Sequence, residues 1–576
     1  MFTVSNKRIQ ITLEDKPFRI HEILNVETGI SCCAGGKQSV IVRVPSHVSE
    51  PAILDNLDEI ENSDSGISFC LSDESGSYKA CLKLSGTDEG VKFSLRATGP
   101  EPLWMAEWRI SGLEFDNVIV PALGGQMLTK DMTPDTTLSY KYPFWWNAQF
   151  VIGENKKGGV WIHTRNSDPR FKLLRVSRAE KSFGLTLGFE ASAPLSSNTL
   201  EAEWYVEGYK GSWKHPVDRH RKWLEKEFGL VKAEEHPNFP KWANDINFVL
   251  EVWGMRKDTS EPHHTFDEMK ERLKEFSLLH DPRETLFYIP GYAEHGIDSH
   301  APDYNPSRYL GGEEKFKELV DFAHELGCRV MIHTNVLAMT FTHPLYPEFK
   351  QHQVVDVFNR LQGWAMDIDG DWLSEDYFAY INPGAQQWGD LMVNVLGNLI
   401  NKFSLDGVFL DQTLLAFNVS RGPEFLEGMR NHIQRLQKAF PHVLFSGEGI
   451  HEQVLQALPM AQIHGIDSLA DVHGMEGRKR WRKVHPVSSY LFGKYTRLTA
   501  HLLTKYPNHQ IFKLQENSYK KLGVIPALCL YNKSQKIDIP EVRLMIQRAK
   551  ELKGKFEKLG KLKAEKLEAH KDISEG

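Results

Sequence analysis

Two carboxylates stand directly after short apolar runs. Asp411 follows Gly407-Val408-Phe409-Leu410, and Glu448 follows Val443-Leu444-Phe445-Ser446-Gly447. A third, Asp467, follows Ile463-His464-Gly465-Ile466. Two carboxyl groups flanking one acetal can cleave a glycosidic bond: one attacks the anomeric carbon or activates water, and the other protonates the leaving oxygen. A lone Asp after an apolar strand is as often a loop cap. Two on consecutive strands favour chemistry, whereas Asp467 taken alone stands on either reading.

The elements around these residues alternate strand and helix. Ile246 to Trp253 reads as a strand, and Thr265-Phe266-Asp267-Glu268 as a capping box opening a helix. Leu286 to Ile289 is a second strand, Glu313 to Leu326 an amphipathic helix that Gly327 can cap, and Arg329 to Ile332 a third strand. A long insertion carrying Trp364 and Trp372 leads to a helix from about Ala385 to Phe403. The fourth strand is Gly407 to Leu410, and a helix from Pro423 to Phe440 precedes the fifth, Val443 to Phe445. Strands six and eight are expected at Ala461 to Ile466 and Gly523 to Leu530, strand seven near Tyr495 to Leu503, and a closing helix at Glu541 to Leu559. Repeated β-α units imply a parallel sheet, here a (β/α)8 TIM barrel whose active groups sit at the C-terminal strand ends. No Gly-rich dinucleotide fingerprint follows the first strand. Neighbouring strands lie about 4.8 Å apart. Carboxylates at adjacent mouths can therefore approach the roughly 5–5.5 Å of a retaining pair.

The first half has a different period. Val91, Phe93 and Leu95 alternate with polar residues, as do Phe183, Leu185, Leu187 and Phe189. Such alternation marks strands with one buried face, and an antiparallel β-sandwich accommodates many of them. The expected organisation is a sandwich over 1–212, a helical linker over 213–240, a barrel over 241–560 and a charged tail over 561–576.

Sugars offer apolar C–H faces to aromatic rings and hydroxyls to polar groups. Trp253 at the first strand end, Tyr292, His295, Asp303 and Tyr304 after the second, His333 after the third and Trp364 are the candidates for substrate contact. Asp298 and His300 belong to the same polar loop, in which no fixed metal-ligand spacing occurs. Trp145 and Trp146 lie in the sandwich half, where a loop could reach the barrel.

The 576 residues are enough for two or three domains. With 69 basic and 76 acidic residues the formal charge is −7, which supplies no basic footprint for nucleic acid. The six cysteines, at 32, 33, 70, 81, 328 and 529, form no CxxC pair and are expected to be buried free thiols. No signal-peptide core opens the sequence and no apolar run reaches the roughly 20 residues of a membrane span, so a cytoplasmic protein is expected. No cofactor is expected, and the expected partner is an oligosaccharide or other glycoside.

Asp406-Gly407-Val408-Phe409-Leu410-Asp411 resembles the fourth-strand nucleophile motif of the α-amylase-like retaining α-glycosidases, and Phe445-Ser446-Gly447-Glu448-Gly449 resembles their fifth-strand acid/base segment. A β-sandwich ahead of such a barrel resembles the layout of the endo-α-N-acetylgalactosaminidase group. Ala301-Pro302-Asp303-Tyr304 and Ile381-Asn382-Pro383-Gly384 fit the same cast. The resemblance implies double displacement, with Asp411 as nucleophile and Glu448 as acid/base. It also departs from the pattern: Phe409 stands where α-amylases carry an arginine, and no seventh-strand His-Asp pair occurs, leaving Asp467 or Asp471 for that third acid. In the α-galactosidase and α-glucosidase families the acid/base lies on strand six, a pattern that would give the role to Asp467. An inverting hydrolase, a non-catalytic carbohydrate-binding protein and a metal-dependent hydrolase are the alternatives.

Overall fold

The computed structural model describes residues 1–168, 170–366, 375–464, 481–500 and 509–554. Asp467, Asp471, Trp372 and the tail from 561 lie outside them.

Two ten-stranded antiparallel sheets make up the first half. The alternation seen in the sequence becomes their shared core: Val91, Phe93 and Leu95 point inward and pair with Val206, Trp204 and Ala202 on the strand Thr199–Lys210. Phe93 stacks on Trp204 at 5.2 Å, and Trp108 from the opposite sheet lies 5.0 Å from Phe93. Cys70 and Cys81 face each other across the antiparallel pair Gly66–Ser72 and Lys79–Thr87 and form a disulfide, with Cα atoms 4.0 Å apart. This corrects the expectation of six free thiols. The spacing of 11 residues acquires meaning only through the register, which composition does not reveal. Cys32, Cys33, Cys328 and Cys529 are buried and take no part in this disulfide.

Helix α1, Lys214–Phe228, ends at Gly229 in the left-handed region and packs Val217 and Leu224 into the barrel-side core. Eight parallel strands follow: β1 Phe248–Val252, β2 Thr285–Ile289, β3 Arg329–Asn335, β4 Gly407–Asp411, β5 Leu444–Gly447, β6 Met460–Ile463, β7 Arg497–Ala500 and β8 Ala527–Leu530. They lie side by side as β7-β6-β5-β4-β3-β2-β1-β8. A parallel bridge from Thr499 to Ile525 joins β7 to the residues entering β8, so the sheet is a nearly closed barrel. Leu250, Phe287, Ile332, Val408 and Phe445 are buried along it.

Helices α2 Phe266–Ser277, α3 Gly312–Leu326, α4 Gln386–Phe403, α5 Phe425–Ala439 and α6 His509–Leu522 accompany the strands, followed by a helix over 540–554. Thr265 and Glu268 cap α2 reciprocally, at 3.3 and 2.8 Å. Such a cap is worth about 1 kcal/mol.

Among the described residues, the helix complement falls short of a regular (β/α)8 set. Between β5 and β6, residues 451–459 form turns rather than a helix. One of their amides is engaged elsewhere: Glu452 N donates to Asn147 O of the sandwich half at 3.1 Å. The sandwich also recruits a strand from the barrel half, since Arg482–Val484 pairs antiparallel with Gln126–Thr129. The insertion after β3 forms its own small sheet, from Ala338–Thr340, Gly363–Met366 and Glu375–Tyr380.

Candidate active site

Asp411 is the last residue of β4, in register with Asn335 at the end of β3. Asn335 Nδ2 donates to Asp411 Oδ2 at 3.3 Å. After Asp411 the chain turns through Gln412, whose φ of 64° is costly for a residue with a side chain. That turn aims the Gln412 amide at Glu448 Oε2, 3.0 Å away. Glu448 sits immediately after β5, with its own amide on Leu410 O at 3.1 Å and its carbonyl accepting from the Thr413 hydroxyl at 3.0 Å. A Cβ at Gly447 would lie 2.5 Å from Thr413 Oγ1, so only glycine leaves this packing intact. The carboxyl groups of Asp411 and Glu448 stand at the ends of neighbouring strands, near enough that the charge of Glu448 helps to raise Asp411. On its other side, Glu448 Oε1 lies 3.1 Å from His464 Nε2, and the His464 ring stacks on Trp145 at 5.3 Å.

A third carboxylate completes the cluster. Asp298 is buried at 3% exposure and lies 3.3 Å from Lys257 Nζ and 3.2 Å from His333 Nε2. His333 Nδ1 is 2.7 Å from the Tyr288 hydroxyl. Burial, followed by the charges of Glu251, Asp411, Asp298 and Glu448, raises Tyr288 well above the usual phenol range. With that phenol as donor to Nδ1, the other imidazole nitrogen carries its proton toward Asp298.

The two aspartates are driven apart. Burial raises Asp411 well above the usual carboxylate range, the charges of Glu448 and Asp298 add to it, and Lys257 opposes. Burial would raise Asp298 too, but Lys257 and His333 outweigh it and hold that carboxyl well below its usual range. Asp298, His333 and Asp411 place ligand atoms within 4.8 Å of one another, a set that could hold a cation. The ammonium of Lys257 already serves as counter-ion to Asp298.

Other expected contacts distribute unevenly. Trp253, partly exposed, donates from Nε1 to Glu251 Oε1 at 2.5 Å and stands 5.2 Å from Tyr531. Trp364 lies under the Lys257 ammonium at 5.2 Å, which ties the insertion sheet to the cluster. Tyr292 is 1% exposed and stacks on Phe316, so it packs in the core. Tyr304 is also buried, and its hydroxyl accepts from Asn335 N at 2.8 Å, which supports the end of β3 rather than a ligand. His295 stacks on His300 at 4.6 Å, and exposed Asp303 lies 3.4 Å from His343 Nε2. Lys257, Tyr288 and Gln412 carry no signal in the sequence: the first sits in a polar loop, the second inside an apolar run, and the third gains its role from one backbone angle.

No curated protein sequence matches the chain. Among solved structures, the α-N-acetylgalactosaminidase NagBb from Bifidobacterium bifidum in complex with GalNAc is similar over 96% of this chain and 92% of that one, with a TM-score of 0.69 and 12% identity. The same enzyme with Gal-NHAc-DNJ gives 0.68 and 11% over 96% and 94%. At such identity the likeness is one of fold. The family model described as a domain of unknown function, DUF6259, matches residues 199–499, from the last sandwich strand through β7, and so includes Asp411 and Glu448. Matched over more than half of its length, the chain belongs to the DUF6259 family.

Proposed function

We propose that the chain is a retaining glycoside hydrolase acting on α-linked glycosides. The observation that carries this reading is the placement of Asp411 and Glu448 at the ends of adjacent parallel strands, close enough that the amide after Asp411, Gln412 N, bonds Glu448 Oε2 at 3.0 Å. Groups on neighbouring strand ends suit the roughly 5–5.5 Å of a retaining pair better than the roughly 6.5–9.5 Å of an inverting one. Like charges this close disfavour ionising together, so the pair shares one proton, which must sit on Glu448 when Asp411 attacks. With substrate bound, the scissile oxygen takes up that proton from Glu448 as the Asp411 carboxylate attacks the anomeric carbon. Glu448, now ionised, then takes a proton from water, and the hydroxide formed displaces Asp411 from the sugar. Gln412 N and His464 hold the two oxygens of Glu448, and Asn335 holds Asp411. Asp298, fixed as an anion by Lys257 and His333, is a hydrogen-bond acceptor for sugar hydroxyls.

The near full-length likeness in layout to NagBb makes aryl α-N-acetylgalactosaminides the first substrates to assay, followed by other α-glycosides. Asp411→Asn should abolish turnover, and azide should rescue Asp411→Gly as the glycosyl azide of inverted configuration. Undiminished turnover by Asp411→Asn overturns the reading. The cluster of Asp298, His333 and Asp411 favours a second reading, a metal-assisted hydrolase. Activity that vanishes with a chelator and returns with a divalent ion would select it.

A further inference from the structure

The sandwich loop over residues 142–149 touches the barrel next to the carboxyl pair. Its Trp145 ring lies between Phe144, stacked at 4.4 Å, and His464, stacked at 5.3 Å with 26° between planes. The loop backbone fixes the ring: Trp145 N donates to Lys141 O at 2.9 Å, and Trp145 O accepts from Leu123 N at 3.1 Å. His464, so held, stands 3.1 Å from Glu448 Oε1.

The same loop grips the segment that carries Glu448. Four residues further on, Glu452 is fully buried. Its carboxylate accepts from the Tyr142 hydroxyl at 3.0 Å and from Gln149 N at 3.2 Å, and pairs with His220 of α1. Gln453 Nε2 donates to the Tyr142 hydroxyl at 3.0 Å, and Glu452 N to Asn147 O at 3.1 Å. Where a regular barrel would run a helix after its fifth strand, this chain has turns bonded to the sandwich.

Stacking of Trp145 on His464 and anchoring of Glu452 therefore act on one object, the Glu448 side chain. We infer that Trp145, reaching in from the sandwich half, is a positioning residue for the acid/base Glu448, acting through His464. The inference rests on Glu448 being the general acid. An aromatic ring at this place could otherwise be a sugar platform or mere packing, and these roles differ in kinetics. Proton donation matters most when the departing alcohol is a poor leaving group, and general acid catalysis contributes about 10²–10⁴-fold there. An activated dinitrophenolate leaves without it.

The experiment compares Trp145→Ala, Trp145→Phe and Glu448→Gln on 2,4-dinitrophenyl and alkyl glycosides of the sugar that the wild type accepts. For Trp145→Ala, kcat on the alkyl glycoside should fall about 10–100-fold while the rate of forming the glycosyl-enzyme from the dinitrophenyl glycoside stays within about threefold. Glu448→Gln should show the same split enlarged, and Trp145→Phe should recover most of the loss. Equal losses on both substrates, or a raised KM alone, overturn the inference in favour of packing or a sugar platform. Wild-type turnover with an unaltered Trp145→Ala overturns it while leaving the hydrolase reading standing. A wild type inactive on every glycoside overturns both. Circular dichroism and Tm of each variant separate a folding failure, in which case Trp145→Phe decides.

Discussion

Carboxylates are handled differently in two regions of this molecule. In the sandwich half, Glu107 lies between Arg43 and Arg175, and Glu207 between Arg8 and Arg219 with Trp161 Nε1 at 3.0 Å. Both glutamates are fully buried and both carry two cations each. At the barrel mouth Asp298, Asp411 and Glu448 crowd together, and the ammonium beside them is Lys257, seated on Asp298. Charges that only hold the fold are neutralised in place. Those at the mouth are left in mutual repulsion, which is the arrangement that tunes groups for proton transfer.

The contrast can be broken from either side. The largest effect is expected from Asp411→Asn: turnover should fall on the order of 10⁴–10⁶-fold, as for loss of a covalent nucleophile. The same change should stabilise the fold at neutral pH. Because the folded carboxyl titrates well above its unfolded value, the folded state binds more protons between those two values and loses stability as pH rises through them. The amide escapes that loss, so Tm should rise by about 2–4 °C. A Tm lowered by the substitution would mean that Asp411 is a structural charge like Glu207.

Glu207→Gln should behave oppositely. It leaves Arg8 and Arg219 without their partner and should cost about 2–4 kcal/mol in urea unfolding, below the usual figure for a fully buried pair because both arginines reach solvent. An equally stable variant would remove one pole of the comparison. Lys257→Met sharpens the other pole. Lys257 lowers Asp411, so its loss should move the acid limb of the kcat/KM profile to higher pH, read from rates across pH 4–8 at about one-unit steps. An unmoved limb would detach Lys257 from Asp411.

A pH-dependent effect is expected at Lys172, a sandwich cation buried over the Tyr142 ring and pushed down to about 7 by burial. In the unfolded chain it titrates near 10.5, so the native protein gains stability as pH rises from about 7 toward that value. Lys172→Met should therefore raise Tm most below pH 7 and lose its advantage on the alkaline side. A Tm gain independent of pH would show that packing, not charge, accounts for it.

The sequence carried the parallel strands well, because each is an apolar run preceded or followed by a helix-period segment. Asp411 and Glu448 were legible for the same reason: a polar residue ending an apolar strand stands out. The loop partners were not. Lys257 sits beside Arg256 and Asp258 and reads as a solvated loop, yet it is the counter-charge of Asp298. Glu452 lies in a turn with no period, and its meaning depends on Tyr142, 310 positions away. The Cys70–Cys81 bond and the strand Arg482–Val484 needed strand register, which one-dimensional patterning does not contain. Tyr292 shows the converse, since an aromatic ring after a strand packs in a core as readily as on a ligand.

The pairing of Arg482–Val484 with Gln126–Thr129 sets a timetable for biosynthesis. Arg482 Nε donates to Gln126 Oε1 across 356 positions of chain. At about 5–20 residues per second, the ribosome needs roughly 20–70 s to deliver the second partner after the first. Until then Gln126–Thr129 remains an open sheet edge. The amino-terminal half thus completes this sheet only after most of the barrel half has emerged.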